Sequence, residues 1–317
     1  MTYYHYIKET INMSVAIECE CINKRYGEKE TLKNISFKIN MGECIALLGQ
    51  NGAGKTTLLN IMLEKLYPTS GNVKNKYQVS EIGYLIQSTK FPDDIKVKEL
   101  ISFVSKFSTN PLDLEQILRI LEFTPEMMGQ IASKLSGGQK RLLDFCLTII
   151  NHPKLLVLDE PTSGMDEDTR AHFWRIVNEL KEKGTTVIFT THYSDEVNNG
   201  ADRVLLLKSG ELVADESPFH LRTLNNKRTL TFEKSLYNNQ TLRFKSIADG
   251  LMSLIEINIK KNTVQWEFDS QYTNQILTTL VKENVDMTSV DLSNASLMET
   301  IFEEGEKDDS FTKDRMA

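Results

Sequence analysis

Gly49-Gln50-Asn51-Gly52-Ala53-Gly54-Lys55-Thr56-Thr57 lies between two apolar runs, Cys44-Ile45-Ala46-Leu47-Leu48 and Leu58-Leu59-Asn60-Ile61-Met62-Leu63. The first run reads as a buried strand and the second as the opening of a helix. Strand, Gly-x4-Gly-Lys-Thr and helix together make the context that a phosphate-binding loop requires. Glycines without Cβ atoms let successive backbone N–H groups turn toward phosphate oxygens. The helix that follows points the positive end of its dipole at the same anion. Lys55 adds a compact charge for the outer phosphates, and the Thr56 hydroxyl is placed to ligate Mg2+. A Gly-rich turn with no ligand fits these flanking elements poorly. The stretch predicts an α/β fold built around a nucleoside triphosphate.

Upstream, Val15 to Ile22 alternates apolar and polar residues, and Asn23 to Gly27 reads as a turn. Thr31 to Asn40 is a second alternating strand that carries Leu32, Ile35, Phe37 and Ile39. Tyr26, an aromatic at a strand end, has two readings at this stage: a ring that stacks on adenine, or an ordinary strand-end tyrosine.

The 317 residues suit one large domain with a smaller one, or two comparable ones. At 40% hydrophobic and 26% charged, the composition is that of a globular protein in water. No apolar run approaches the length of a bilayer span. Residues 1–13 read as a leader without the apolar core of a secretory signal, and Met13 offers a second start. A net charge of −7 argues against a nucleic-acid partner, whose phosphates call for a basic face. Cys19, Cys21, Cys44 and Cys146 show no zinc spacing and are expected as buried free thiols in a reducing compartment.

Downstream, Tyr67 to Gly71 breaks the chain, and Ile82 to Ile86 is an apolar strand that ends at Gln87. From about residue 88 to 150 the pattern is helical, over Val97–Phe107, Leu114–Phe123 and Gly138–Ile149, which predicts an inserted helical subdomain. Inside it, Leu135-Ser136-Gly137-Gly138-Gln139 forms a second small, Gly-rich anion site at a helix start. A single bound nucleotide rarely needs two such sites.

Leu155 to Leu158 is a fully buried strand that ends in Asp159 and Glu160, where parallel sheets meet their ligands. Asp159 is placed to hold a metal through water, and Glu160 to face an attacking water. Pro161 to Asp166 turns the chain into a helix through Glu182, and Thr185 to Thr191 is another buried strand, ending at His192. A histidine there is usually structural, but the repeating strand–helix pattern puts it at the sheet edge of Lys55 and Glu160. Val204–Leu207 and Glu211–Ala214, split by Ser209-Gly210, read as a closing hairpin.

In order and spacing, six motifs resemble those of the ATP-binding subunit of an ABC transporter. They are Gly49–Thr57 as Walker A, Gln87 as Q-loop, Leu135–Gln139 as signature, Leu155–Asp159 as Walker B, Ser163–Asp166 as D-loop and His192 as switch. Leu-Ser-Gly-Gly-Gln is the most discriminating of them. Gln50 and Met165 depart from the commoner residues without touching the chemistry, and Tyr26 falls where the family places its adenine-stacking aromatic. Thr190 to Val197, then Ala201-Asp202-Arg203-Val204 and Ser296 to Phe302, resemble the drug-resistance branch of bacterial ABC-2 type exporters.

The resemblance implies a phosphate-loop NTPase core with an antiparallel β subdomain, an inserted helical subdomain and a small C-terminal α+β domain. The expected plan is a leader at 1–13, a cassette at 14–221 with its helical subdomain at 88–150, an accessory domain at 222–304 and an acidic tail at 305–317. In the accessory domain, Thr229–Glu233, Ser253–Lys260 and Thr263–Asp269 read as strands. Gln271 to Asn284 reads as a helix with Ile276, Leu277, Leu280 and Val281 on its apolar face.

It also implies ATP and Mg2+ as cofactors and a head-to-tail dimer, either of this chain or with a sister cassette. In that dimer, Ser136, Gly137, Gly138 and Gln139 of one chain meet the nucleotide that Lys55 holds in the other. Thr56, Gln87 and Asp159 serve the metal, while Glu160, His192 and Gln87 serve hydrolysis. The pore is then a separate transmembrane permease that holds the chain at the cytoplasmic face of the membrane, with a drug, peptide toxin or lipid-like cargo. An ABC ATPase that moves nothing is the other class. Its translation type carries two cassettes and its repair type a long coiled coil, and neither pattern is present in this sequence. A cassette that signals through a permease shares every motif quoted above.

Overall fold

The structure, a computed structural model, describes residues 14–224, 227–239, 247–248, 250–251 and 253–294. The expected leader at 1–13, the Ser296–Phe302 motif and the acidic tail lie outside the described residues. The chain divides into two units, the first ending at Pro218 and the second beginning at Phe219.

In the first unit, β1 (Val15–Tyr26) and β2 (Lys29–Asn40) pair as an antiparallel hairpin, and β4 (Ser70–Asn75) joins the other edge of β1. The turn expected at 23–27 is strand almost throughout, because the chain reverses only at Gly27-Glu28. A register shift between Cys19 and Ile22, with Cys21 at φ 51°, carries the pairing onward. The bulge keeps Ile22 on the buried face and leaves Cys21 exposed, so three of the four thiols are buried and not all four as expected. The polar β4 was invisible as a strand, since only its pairing with β1 defines it.

The second sheet runs β5 (Ile82–Leu85), β6 (Leu155–Asp159), β7 (Thr186–Thr190), β3 (Cys44–Gly49), β8 (Arg203–Lys208) and β9 (Glu211–Glu216). Its first five strands are parallel and β9 closes the edge antiparallel. β3, β6 and β7 are near-continuous apolar runs because helices and the small sheet cover both faces. The Lys55–Met62 helix packs with β1 and β2 in one core, around Ile17, Leu32, Ile35, Leu58 and Ile61.

On the far face a chain of rings ties the Gly137–Ile149 and Glu167–Glu182 helices to β7. Phe145 lies 4.4 Å from Phe173, Phe173 5.7 Å from Trp174, and Trp174 4.7 Å from Phe189. Such tilted and edge-on contacts add about 0.5–1.5 kcal/mol each beyond their burial. They tie the middle of the Gly137–Ile149 helix, at Phe145, to the next helix and through it to the sheet. The helices at Val97–Lys106 and Leu114–Leu121 fall where the sequence pattern puts them, and a short helix over Ser194–Gly200 follows β7.

The second unit has an antiparallel sheet in the order β11 (Ile255–Ile259), β12 (Thr263–Asp269), β10 (Lys227–Glu233) and β13 (Val290–Asn294). Leu230, Phe232, Val264, Trp266 and Phe268 alternate onto one face and meet Ile276 and Leu280 of the Thr273–Lys282 helix. The apolar face expected on that helix is narrower than its sequence suggests. Ile276 and Leu280 are fully buried and Leu277 partly so, but Val281 is 57% exposed. A step of 100° beyond Leu280 carries Val281 off the buried stripe.

Candidate functional site

β3 delivers the chain to Gly49, and the loop returns it to the helix that starts at Lys55. Two glycines have no room for a side chain. A Cβ at Gly49 would lie 2.4 Å from the Leu207 carbonyl oxygen, and one at Gly54 2.6 Å from Leu32 Cδ2. Gly54 sits at φ 104°, a conformation glycine adopts freely and other residues do not. Lys55 Nζ donates to the carbonyls of Gly49 at 2.7 Å and Gln50 at 3.1 Å, so the ammonium folds back over the loop. Burial holds Lys55 below the usual lysine range, and the nearby carboxylates of Glu160 and Asp159 work against that shift. An anion in the loop would satisfy the ammonium better than two neutral carbonyls do.

The two acids arrive from β6. Asp159 Oδ1 accepts from the Thr190 hydroxyl at 2.6 Å, and that hydroxyl accepts from the Glu160 N–H at 2.9 Å. One threonine at the end of β7 thus sets the acid side chain and the turn after it. Glu160 sits at φ 44°, a left-handed conformation that costs a non-glycine residue about 1–3 kcal/mol and turns up at functional sites. Glu160 Oε2 accepts from Gln87 Nε2 at 3.1 Å and lies 4.0 Å from His192 Nδ1.

A cleft of about 290 Å³ collects Asn51, Gly52, Gly54, Lys55, Thr56, Thr57, Gln87, Asp159 and Glu160, with Lys29 and Thr31 on its rim. Gln50 is exposed and Ala53 is buried behind the loop. His192 stands at the same sheet edge, half exposed. Tyr26 is 51% exposed at the end of β1, with Lys24 Nζ 5.2 Å from its ring centre.

Thr56, Asp159 and Gln87 bring a hydroxyl, a carboxylate and an amide oxygen to this cleft. These hard oxygen donors are few, and among the described residues no three of His, Cys, Asp and Glu gather as a metal cage. That set fits Mg2+, which keeps waters and takes phosphate oxygens alongside one or two protein ligands.

Ser136 caps the Gly137–Ile149 helix through a reciprocal pair. Its hydroxyl accepts from the Gln139 N–H at 3.3 Å, and its own N–H donates to Gln139 Oε1 at 3.0 Å. Ser136, Gly138 and Gln139 line a separate pocket of about 320 Å³, with Asp166, Thr169 and His172 among its other walls. This pocket shares no lining residue with the phosphate cleft. The structure therefore unites the Walker residues with Gln87 and Glu160 and sets the signature apart.

Sequence reading missed Arg141. It is buried, and it donates to the carbonyls of Pro161 at 2.7 Å, Asp159 at 2.8 Å and Glu160 at 3.1 Å, and to that of Ile86. Its neighbour Asp144 accepts from Thr89, and burial raises the Asp144 pKa. The signature helix is thus fastened to the ends of β5 and β6. No sequence motif singled out Arg141, and only the fold shows that its side chain turns inward.

A family model described as ABC transporter matches residues 32–163. Nod factor export ATP-binding protein I of Burkholderia orbicola is 32% identical over 223 residues, covering 66% of this chain and 73% of that protein. Its namesake in Rhizobium etli is 33% identical over 219 residues, covering 65% and 69%. The chain belongs to the ABC transporter ATP-binding family. A solved dimeric bacterial ABC transporter cassette matches with a TM-score of 0.56 at 25% identity, over 64% of this chain and 98% of that one. The ATP-binding subunit of another ABC transporter has a TM-score of 0.59 at 20% identity, a likeness of fold. As an ABC ATP-binding subunit, the chain binds ATP and hydrolyses it to power transport. No helix among the described residues is long and apolar enough to cross a membrane.

Proposed function

We propose that this subunit drives an exporter from the cytoplasmic face of the membrane, as one half of a cassette dimer docked on a separate transmembrane permease. The observation that carries the reading is the separation of the two anion sites, with no residue in common. A head-to-tail pair of chains would complete each phosphate cleft with the other chain's Ser136, Gly137, Gly138 and Gln139. The dimeric cassette of similar fold supports that arrangement, and the names of the relatives support export. The division after Pro218 supports a cassette over 14–221 and an accessory domain over 222–304.

In this reading the loop N–H groups of 49–57 and Lys55 hold the β- and γ-phosphates, and Tyr26 stacks on the adenine. Thr56, Asp159 and Gln87 would hold Mg2+, which supplies charge neutralisation between the outer phosphates. Glu160 orients and polarises the attacking water. His192, 4.0 Å from Glu160, holds the γ-phosphate and that water in line. Loss of the bridging γ-phosphate then loosens the dimer, so ATP biases a two-state element.

Two measurements test this. With ATP and Mg2+, Glu160→Gln should run as a dimer on a sizing column, and adding Ser136→Arg should return it to a monomer. With its permease in inverted vesicles, the parent should concentrate cargo on ATP addition. A trapped dimer that survives Ser136→Arg defeats the head-to-tail reading, and ATP-independent accumulation defeats the coupling.

A further inference from the structure

Behind the catalytic edge lies a carboxyl group that no step above uses. Glu196, on the Ser194–Gly200 helix, is 3% exposed. A buried acid is costly unless hydrogen-bonded on all sides. One oxygen of Glu196 accepts from the hydroxyl of Thr162, two residues past Glu160, and the other from the hydroxyl of Thr191, the residue before His192. Thr191 Oγ1 in turn accepts from the Tyr193 N–H at 3.0 Å, so the backbone is fixed on both sides of His192.

A second line of contact reaches the imidazole itself. Arg170, on the helix after the D-loop, places Nε 3.9 Å from Glu196 Oε1, in an enclosed position without a hydrogen-bond partner. Its guanidinium stacks 4.3 Å over the Tyr193 ring, and that ring lies 4.2 Å from His192 at 38°. The His192 side chain is itself half exposed, and its Nδ1 lies 4.0 Å from Glu160 Oε2.

We infer that Glu196 and Arg170 form a positioning unit that sets His192 against Glu160 and locks the switch to the D-loop turn. The unit joins Thr162, the residue before the D-loop, to both neighbours of His192. A displacement of the D-loop, such as a partner chain would impose, therefore reaches the imidazole through one carboxyl group. Glu196 would act on hydrolysis only through His192. The inference rests on the switch role proposed for His192.

The test uses the full chain, with kcat and the KM for ATP measured separately. Glu196→Gln keeps the shape but leaves one threonine hydroxyl without its acceptor. It should lower kcat by about tenfold to a hundredfold, the usual penalty for a small misplacement, with KM within about twofold of the parent. Tyr193→Phe, which keeps the ring, should hydrolyse at the parent rate, while Tyr193→Leu should lose rate as Glu196→Gln does. Tyr193 is only half-buried, so this pair reads the same unit where Glu196→Gln fails to fold.

In the His192→Ala background, Glu196→Gln should cost nothing further, the non-additivity of residues that act as one. An equal loss in that background, or equal rates for Tyr193→Phe and Tyr193→Leu, overturns the inference. Full activity in His192→Ala alone would instead overturn the switch role on which it rests.

Discussion

Gln87 Nε2 donates to Glu160 Oε2 across 3.1 Å, which joins Gln87, two residues past β5, to the residue after β6 at the rim of the phosphate cleft. The same carboxylate oxygen lies 4.0 Å from His192 Nδ1, so Gln87 and His192 both approach one atom of Glu160. In the proposed reading, Glu160 exchanges the Gln87 amide for a water when nucleotide enters. Glu160→Gln should therefore leave ATP binding intact and lower the hydrolysis rate by about 100- to 10,000-fold. Single-turnover hydrolysis checks this, and an unchanged rate removes Glu160 from the role.

Arg141 holds four backbone carbonyls around the ends of β5 and β6. Arg141→Met would strand buried acceptors at about 1–3 kcal/mol apiece. Arg141→Lys should rescue little, because a single ammonium cannot reproduce the guanidinium fork. Urea unfolding should show both variants destabilised, with the lysine variant closer to methionine than to the parent.

The thiols separate by burial. Desolvation pushes Cys19, Cys44 and Cys146 up to about 12, while Cys21 stands exposed on the β1 bulge. A thiolate-selective reagent near neutral pH should label Cys21 alone in the native chain and all four cysteines in denaturant. Fast native labelling of a second thiol would contradict the packing of β1, β3 or the signature helix.

Glu18 sits opposite Lys38 on β2 and Lys74 on β4, with both ammoniums within 2.9 Å. Hydrogen bonds to Lys38 and then Lys74 hold its carboxyl at about 2, below the ordinary 4.5. A lowered folded pKa stabilises the fold above the ordinary value, and the contribution fades as pH falls from about 4.5 through about 2. Glu18→Gln should lower Tm slightly at neutral pH, as befits solvated pairs, and the gap should close on acidification. A gap that widens in acid would reverse the sign.

In the second unit, Leu280→Ala removes a fully buried side chain and should cost about 2–5 kcal/mol. Val281→Ala, one residue on and mostly exposed, should stay within about 0.5 kcal/mol. Chemical denaturation followed through Trp266, which is buried beside Phe232, distinguishes them.

The strands β3, β6 and β7 at the sheet centre were legible because each is a run of buried residues leading to a residue with chemistry: Gly49, Asp159 or His192. β4 and β13 were not, since Ser70–Asn75 and Val290–Asn294 are mostly polar and become strands only by pairing with β1 and β10. The turn near residue 25 was misplaced because a bulge at Cys21 breaks strict alternation.

What the sequence determined by itself is local. Loop, caps and acids each need particular residue types within a few positions, and such spacing survives in one dimension. Arg141 and Glu196 needed the tertiary structure, because their meaning lies in partners far along the chain. Ile86 and Pro161 lie 55 and 20 residues from Arg141, and Thr162 lies 34 from Glu196. A charged side chain in a helix reads as solvated until the fold withdraws its water, and only then must every donor and acceptor around it be found.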